Sequence, residues 1–302
     1  MKSNTGHFAA LFTIIIWGTT FISTKVLLED FKPVEILFCR FLIGFLALSL
    51  YPVRLKNVGA RRELTFAAAG LSGVCLYYLL ENVALTYTLA SDAGVIVSSA
   101  PFFTAIFSGI FYKEEKPRAS FFAGFAVAIL GIGLIAFGGS GAEESGGIGG
   151  RLLGDVLALL AAAMWGIYSI LTKKISGFGY PAIPATRRTF FYGILFMIPA
   201  LFFGFEFKPA LFAEPVYLLN LLFLGLFASA LCFVSWGFSI GKLGAVAASV
   251  YIYAVPVVTL IASVLILGEK ITPCALAGAA LTIAGLFIGG KAPEKSDTRH
   301  SE

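Results

Sequence analysis

Glu81 is the residue of this chain with the clearest chemical potential. It lies inside a long apolar run, in the segment VCLYYLLENVALTY. An ionised carboxylate at mid-membrane depth costs about 2.5–3.5 kcal/mol on insertion scales. Such a group must face a wet cavity, hold a proton or find a partner. It is therefore a candidate to bind a substrate ammonium or to carry a coupling proton. The alternative is a residue near the helix end that caps it or hydrogen-bonds a neighbouring helix. Tyr77 and Tyr78 lie four and three residues earlier, on the same helical face, and Asn82 follows. The remaining chemistry-bearing types are sparse. His7 and His300 are the two histidines, both near the ends, so histidine acid/base or metal chemistry within a bilayer is not expected. No G-x-S-x-G or H-E-x-x-H motif occurs. Cys39, Cys75, Cys232 and Cys274 all fall in apolar runs, at spacings that suit neither a metal site nor a disulfide framework.

The elements that position Glu81 follow from composition. The chain of 302 residues is 58% hydrophobic and 13% charged, with mean hydropathy +0.90, well outside the habit of soluble domains. Ten apolar runs, near 8–28, 34–51, 64–87, 93–112, 119–138, 152–174, 183–204, 216–240, 244–267 and 272–290, each approach the roughly 20 residues that a helix needs to cross a bilayer. They are continuously apolar rather than alternating, so helices and not barrel strands are expected. The first run has no small-residue cleavage site after it and reads as a retained helix.

The runs belong to two copies of one unit. Trp17, Gly18, Thr24, Lys25, Pro33 and Arg40 recur 148 positions on as Trp165, Gly166, Thr172, Lys173, Pro181 and Arg188 (165 − 17 and 188 − 40). After a seven-residue shift, Ala90, Val95, Pro101, Ile106, Ser108 and Glu114 recur as Ala245, Val250, Pro256, Ile261, Ser263 and Glu269, 155 positions on (256 − 101). A register kept by so many residues indicates duplication. The expected division is a first five-helix repeat over 1–138, a Gly-rich external linker over 139–150, a second repeat over 151–291 and a polar cytoplasmic tail over 292–302. Five crossings is an odd number, so equivalent helices run in opposite directions and the repeat is inverted, the geometry that underlies alternating access. With both termini cytoplasmic, 14 of the 22 Lys and Arg fall inside, 5 outside, and Arg40, Arg187 and Arg188 within helices. That bias obeys the positive-inside rule and predicts a multi-pass protein of the cytoplasmic (inner) membrane. It also accounts for the net charge of +5 without nucleic acid.

The segments IIWGTTFISTK, FCRFLIG, ENVALTYTLASDAGVIVSSAPFFTAIFSGIFYKEE and LGAVAASVYIYAVPVVTLIASVLILGEK resemble the drug/metabolite transporter superfamily, specifically its ten-helix EamA-type members. The resemblance spans nearly the whole chain. It implies an all-α polytopic membrane protein whose helices 1, 3, 4, 6, 8 and 9 surround a central cavity, with helices 5 and 10 to one side. It implies export of a small metabolite, and the overall pattern is similar to amino-acid and metabolite exporters; a multidrug or organic-cation exporter is the alternative. On this reading Trp17 and Trp165, followed one turn on by Thr20 and Tyr168, line the cavity or pack beside their glycines. Glu81 corresponds to Trp236 at offset 155 (236 − 81). Tyr251, Tyr253 and Ser98 are further lining candidates.

Pro101 and Pro256 are expected to interrupt helices four and nine and to act as hinges or fixed kinks. Arg40 and Arg188 lie about two turns from proline-marked helix starts, where snorkelling or a loop acid would satisfy them. Lys25 and Lys173 read as interfacial anchors, and Glu114 and Glu269 as caps or loop ion-pair partners. Gly124, Gly131, Gly133 and Gly138 in the fifth run, with Gly278 and Gly285 in the tenth, read as sites of close helix packing. Without a Walker motif or an ATPase domain, the expected mechanism is secondary or facilitated transport, with protons as a possible second ligand and no cofactor or metal. An integral-membrane enzyme or a channel is a remote alternative. The second would call for rings of like charge or a filter loop, and neither is visible.

Overall fold

The computed structural model describes residues 4–84, 87, 96–112, 119–138, 148–206, 208–267 and 272–289. The first repeat contains α1 (Asn4–Leu27), α2 (Pro33–Ser49), α3 (Ala60–Ala69), a π-helical stretch (Gly70–Leu76) that runs on into α4 (Tyr77–Ala84), α5 (Ala100–Phe111) and α6 (Ala119–Gly138). The second contains α7 (Ile148–Ser176), α8 (Ala182–Gly204), α9 (Pro215–Leu222), a second π-helical stretch (Phe223–Leu231) leading into α10 (Cys232–Leu243), then α11 (Ala245–Ser249), a 3-10 turn (Val250–Ala254), α12 (Val255–Leu267) and α13 (Pro273–Gly289). These segments form ten helical rods, each overlapping one of the ten apolar runs. Among the described residues, five are long and apolar enough to cross a membrane: Asn4–Thr24, Ala60–Ala84, Leu152–Ser176, Pro215–Leu243 and Ala245–Ile266. Ala90, Val95, Glu114, Glu269, the linker residues 139–147 and the tail 292–302 lie outside the described residues, as does the side chain of Lys25.

The two π-helical stretches sit at matching places in the repeat, Gly70 pairing with Gly225 (225 − 70 = 155). A π turn widens the helix and disturbs its hydrogen-bond ladder, and such turns concentrate at functional sites. Packing between the halves follows the same register. Gly18 of α1 lies against Val258 of α12, and its counterpart Gly166 of α7 lies against Phe103 of α5, the residue that matches Val258. A side chain on Gly18 would place its Cβ 2.5 Å from Val258, so only glycine permits this approach.

The tightest interface joins α6 and α13. Gly124 faces Gly285 and Gly289, and Gly131 faces Gly278 and Thr282, so the two helices run antiparallel with their backbones in contact. Small residues are what allow such approach between helices in lipid, where there is no hydrophobic drive to associate. The expected packing role therefore holds for Gly124, Gly131, Gly278 and Gly285 but not for Gly133, which has open space where a Cβ would stand. This pair of neighbours makes a controlled test. Gly131→Leu would drive a Cβ to 2.5 Å from the Gly278 carbonyl and the Thr282 amide, and is expected to cost about 3 kcal/mol or more, the upper range for overpacking. Gly133→Leu should melt like the wild type. Equal melting temperatures for the two variants in detergent would show that the interface is not close-packed.

Arg187 has a structural duty. Its guanidinium donates to the carbonyls of Leu48, Tyr51 and Val53 at 3.4, 3.0 and 2.6 Å, satisfying orphan acceptors in the last turn of α2 and just beyond it.

Candidate functional site

Where the two halves meet, the structure gathers aromatic rings from both. The repeat partners Trp17 and Trp165 touch edge to face at 5.2 Å, and Trp17 also lies 5.2 Å from Trp236. Tyr77 lies 4.8 Å from Trp165, and Tyr168 lies 5.1 Å from it. The hub is Phe233, whose ring meets those of Phe190, Phe41, Tyr168, Trp17, Trp165 and Tyr78 at 5.1–6.5 Å. Phe233 is the repeat counterpart of Tyr78 (233 − 78 = 155). Its importance was not signalled in the sequence, where it is one of 30 phenylalanines.

This centre differs from the open chamber that the sequence led one to expect. Trp165, Tyr168, Phe233 and Trp236 are all at least 96% buried, packed ring on ring. Edge-to-face contact between aromatic quadrupoles stabilises such a cluster beyond the area it buries. Space opens beside it instead. A cleft of about 240 Å³ has Tyr168 and Phe233 at one side and passes Thr172, Thr189 and Gly237 toward Tyr180 and Lys242. It emerges at the end of the bundle that carries the N-terminus of α1, because Gly6 packs against Lys242 and Leu243. A second cleft of about 320 Å³ is ringed by Arg54, Arg187 and Arg188.

Polar groups in and around the aromatic centre are few. Glu81, half-buried, accepts a hydrogen bond from the Tyr77 hydroxyl at 3.2 Å. Tyr77 thus joins the acid to the rings, at 4.7 Å from Tyr78 and 4.8 Å from Trp165. The Trp17 indole donates to the Ala228 carbonyl at 3.0 Å, inside the second π-helical stretch. The indole nitrogens of Trp165 and Trp236 are buried with no acceptor among the described residues. A buried donor left unmade costs about 1–3 kcal/mol.

Arg40 departs from the expected snorkelling. It is 6% exposed, its Nε donates to the Ser229 hydroxyl at 3.0 Å, and its guanidinium lies 4.7 Å from the centre of the Tyr78 ring. Its twin Arg188 keeps the structural role, paired with Glu63, which also accepts from the Tyr192 hydroxyl at 2.8 Å.

The remaining sequence candidates divide. Thr20 folds its hydroxyl back onto the Trp17 carbonyl at 2.7 Å. Asn82 is half-buried next to Glu81. Tyr251 shares a hydrogen bond of 2.7 Å with His7, at the α1 terminus and away from the rings. Tyr253 is fully buried in a separate cluster with Ala105, Phe121, Ala128 and Ile132, so in this conformation it does not line the centre. Ser98 is buried ahead of α5, outside the ring cluster.

Pro101 and Pro256 stand in the first turn of α5 and α12. Each follows an interruption within its rod and opens the helical segment beyond it, where a missing N–H is harmless in the first turn. The irregular backbone lies just before each: a turn at 98–99 and the 3-10 turn Val250–Ala254. Lys173, in the last turn of α7, sits 4.2 Å from the Tyr112 ring centre.

Comparison with known proteins agrees with this architecture. The model of the EamA-like transporter family matches twice, over residues 4–137 and 152–289. An uncharacterized transporter of Archaeoglobus fulgidus is 30% identical, over 95% of this chain and 98% of its own. A probable terminal-alkyne amino-acid exporter of Streptantibioticus cattleyicolor is 29% identical, over 95% and 94%. A probable amino-acid metabolite efflux pump of Salmonella typhimurium is 26% identical, over 93% of each. A solved crystal structure superposes with a TM-score of 0.75 at 18% identity, covering 94% of this chain and 96% of the other, which speaks to fold. An all-helical multi-pass bundle, two family matches in tandem and full-length similarity to named transporters lead to one conclusion: this chain belongs to the EamA-like transporter family of the drug/metabolite transporter superfamily and is a membrane transporter.

Proposed function

We propose that the protein exports a small amphipathic metabolite, most simply an amino acid, by alternating access at the aromatic centre. The observation that carries this reading is Glu81 held by Tyr77 against rings drawn from both halves. An acid beside aromatic faces suits a substrate with an ammonium group and an apolar side chain, since the carboxylate and the rings both attract the cation. The names of the Streptantibioticus and Salmonella relatives support the same substrate class. Glu81 doubles as the group that carries a coupling proton.

The site further comprises Trp17, Tyr77, Tyr78, Trp165, Tyr168 and Trp236, with Asn82 beside the acid and Thr20 behind Trp17. Ser98, Tyr251 and Tyr253 flank the helix starts at Pro101 and Pro256 and join the pathway when these segments move. Antiparallel packing of α6 on α13, the last helices of their respective repeats, supports an inverted arrangement of 1–138 and 151–291. With both termini cytoplasmic in the inner membrane, the cleft beside Lys242 is the inward opening and residues 139–150 lie outside. In a variant with the four native cysteines replaced by serine, Ser145→Cys should then react with an impermeant maleimide from outside intact cells. Labelling only after lysis would overturn the topology.

The function itself is tested by uptake into proteoliposomes across the amino acids, with and without a pH gradient. Saturable uptake and counterflow are expected. Ohmic currents, or no amino-acid flux, would overturn the reading. An organic-cation exporter is the second reading, favoured by the same acid and rings.

A further inference from the structure

Arg40 is left unexplained by a cation-binding centre. It is more than nine-tenths buried, and no carboxylate of a described residue lies within 4 Å of it. Its neighbours are the Ser229 hydroxyl and the rings of Tyr78 and Phe41, none of which carries a negative charge. Burying a guanidinium without a directly paired carboxylate is costly, and its planar fork suits a carboxylate ligand. Its repeat twin shows the contrast, because Arg188 has its acid in Glu63 and leaves part of its surface in solvent.

The surroundings are short of acceptors in the same sense. In the adjoining ring cluster, the Trp165 and Trp236 indole N–H groups are buried without partners among the described residues. The helix wall opposite α2 is the second π-helical stretch, which contributes Ser229 to Arg40 and the Ala228 carbonyl to Trp17. Arg40 of α2 is linked to Glu81 of α4 through the adjacent rings of Tyr78 and Tyr77. A cation and an anion therefore face one aromatic centre from neighbouring helices, unpaired with each other.

We infer that Arg40 binds the carboxylate of a zwitterionic substrate whose ammonium is taken by Glu81, so that the carrier selects free α-amino acids over amines and esters. This rests on the amino-acid reading above and sharpens it: both poles of the substrate are read, and the rings accept its side chain. The arginine fork supplies parallel donors matched to a carboxylate, which a lysine does not reproduce. Ser229 orients the fork through Nε, with the Tyr78 ring against its face.

The test uses the full-length protein in proteoliposomes with L-phenylalanine, L-leucine and the methyl ester of each, which keeps the ammonium and lacks the carboxylate charge. Wild type is expected to take up the free acids with a KM at least about tenfold below that of the esters, the scale of a lost buried charge contact. Arg40→Gln should erase that preference while ester uptake stays within about twofold of wild type. Arg40→Lys, which keeps the charge, guards against a folding defect and should retain part of the preference. Equal loss of acid and ester uptake in Arg40→Lys, with a wild-type melting temperature, would mean a structural arginine and would overturn the inference. Unchanged discrimination in Arg40→Gln would overturn it as well. Wild-type uptake of esters without acids would sink both the inference and the amino-acid reading, in favour of an organic-cation carrier. Wild-type uptake of acids with either Arg40 outcome just described would sink the inference alone.

Discussion

Glu81→Gln is expected to reduce initial uptake about tenfold or more and to abolish its response to a pH gradient, while the protein stays monodisperse. The substitution keeps the shape and the hydrogen bond from Tyr77 but removes the charge that would hold an ammonium and the site that would carry a proton. Loss of a close, desolvated charge contact costs about 2–5 kcal/mol, and each 1.4 kcal/mol is tenfold. Two measurements separate the roles. Counterflow at equal pH reports binding and exchange, and gradient-driven uptake reports coupling. If Glu81→Gln exchanged substrate at the wild-type rate but ignored the gradient, the acid would serve the proton alone. Full transport with an intact pH response would remove Glu81 from the mechanism altogether.

Phe233→Ala is expected to be among the most destabilising single substitutions in the chain. The side chain is 1% exposed and meets six other rings, and truncation of a buried phenylalanine typically costs about 3–5 kcal/mol. The vacancy would also extend the neighbouring 240 Å³ cleft toward Trp17 and Trp165. Phe233→Leu retains much of the volume and should cost under about 1.5 kcal/mol. Thermal unfolding in detergent checks the order: Ala well below Leu, and Leu near wild type. If Phe233→Ala melted with the wild type, the rings would be loosely associated and the packed centre would not hold the halves together.

These two residues differ in how they reveal themselves. A carboxylate in an apolar run is conspicuous, because lipid makes it costly wherever it points. Phe233 stands in a run of apolar residues that offers no contrast. The same holds for Tyr253, which sequence position puts near Pro256 and packing puts in a cluster with Phe121. Gly131 and Gly133 look alike in the string, yet only the first faces another backbone.

The chain by itself determined the ten helical rods, the duplicated unit and the buried acid. Each depends on composition or register: a run long enough to span, a spacing kept between copies, a charge where charges are costly. Tertiary structure alone decided which face of each helix turns inward. Helices such as α6 and α13 are apolar all round, since lipid tails are as apolar as a protein interior and no polar stripe is needed to mark the outside. Inward direction is set by shape, through glycines that admit a neighbour and rings that fill the remaining space. Most of those contacts join residues more than 100 positions apart, as Trp17 joins Ala228, and that is why Arg40 turned toward Ser229 and Tyr78 while its twin Arg188 went to Glu63.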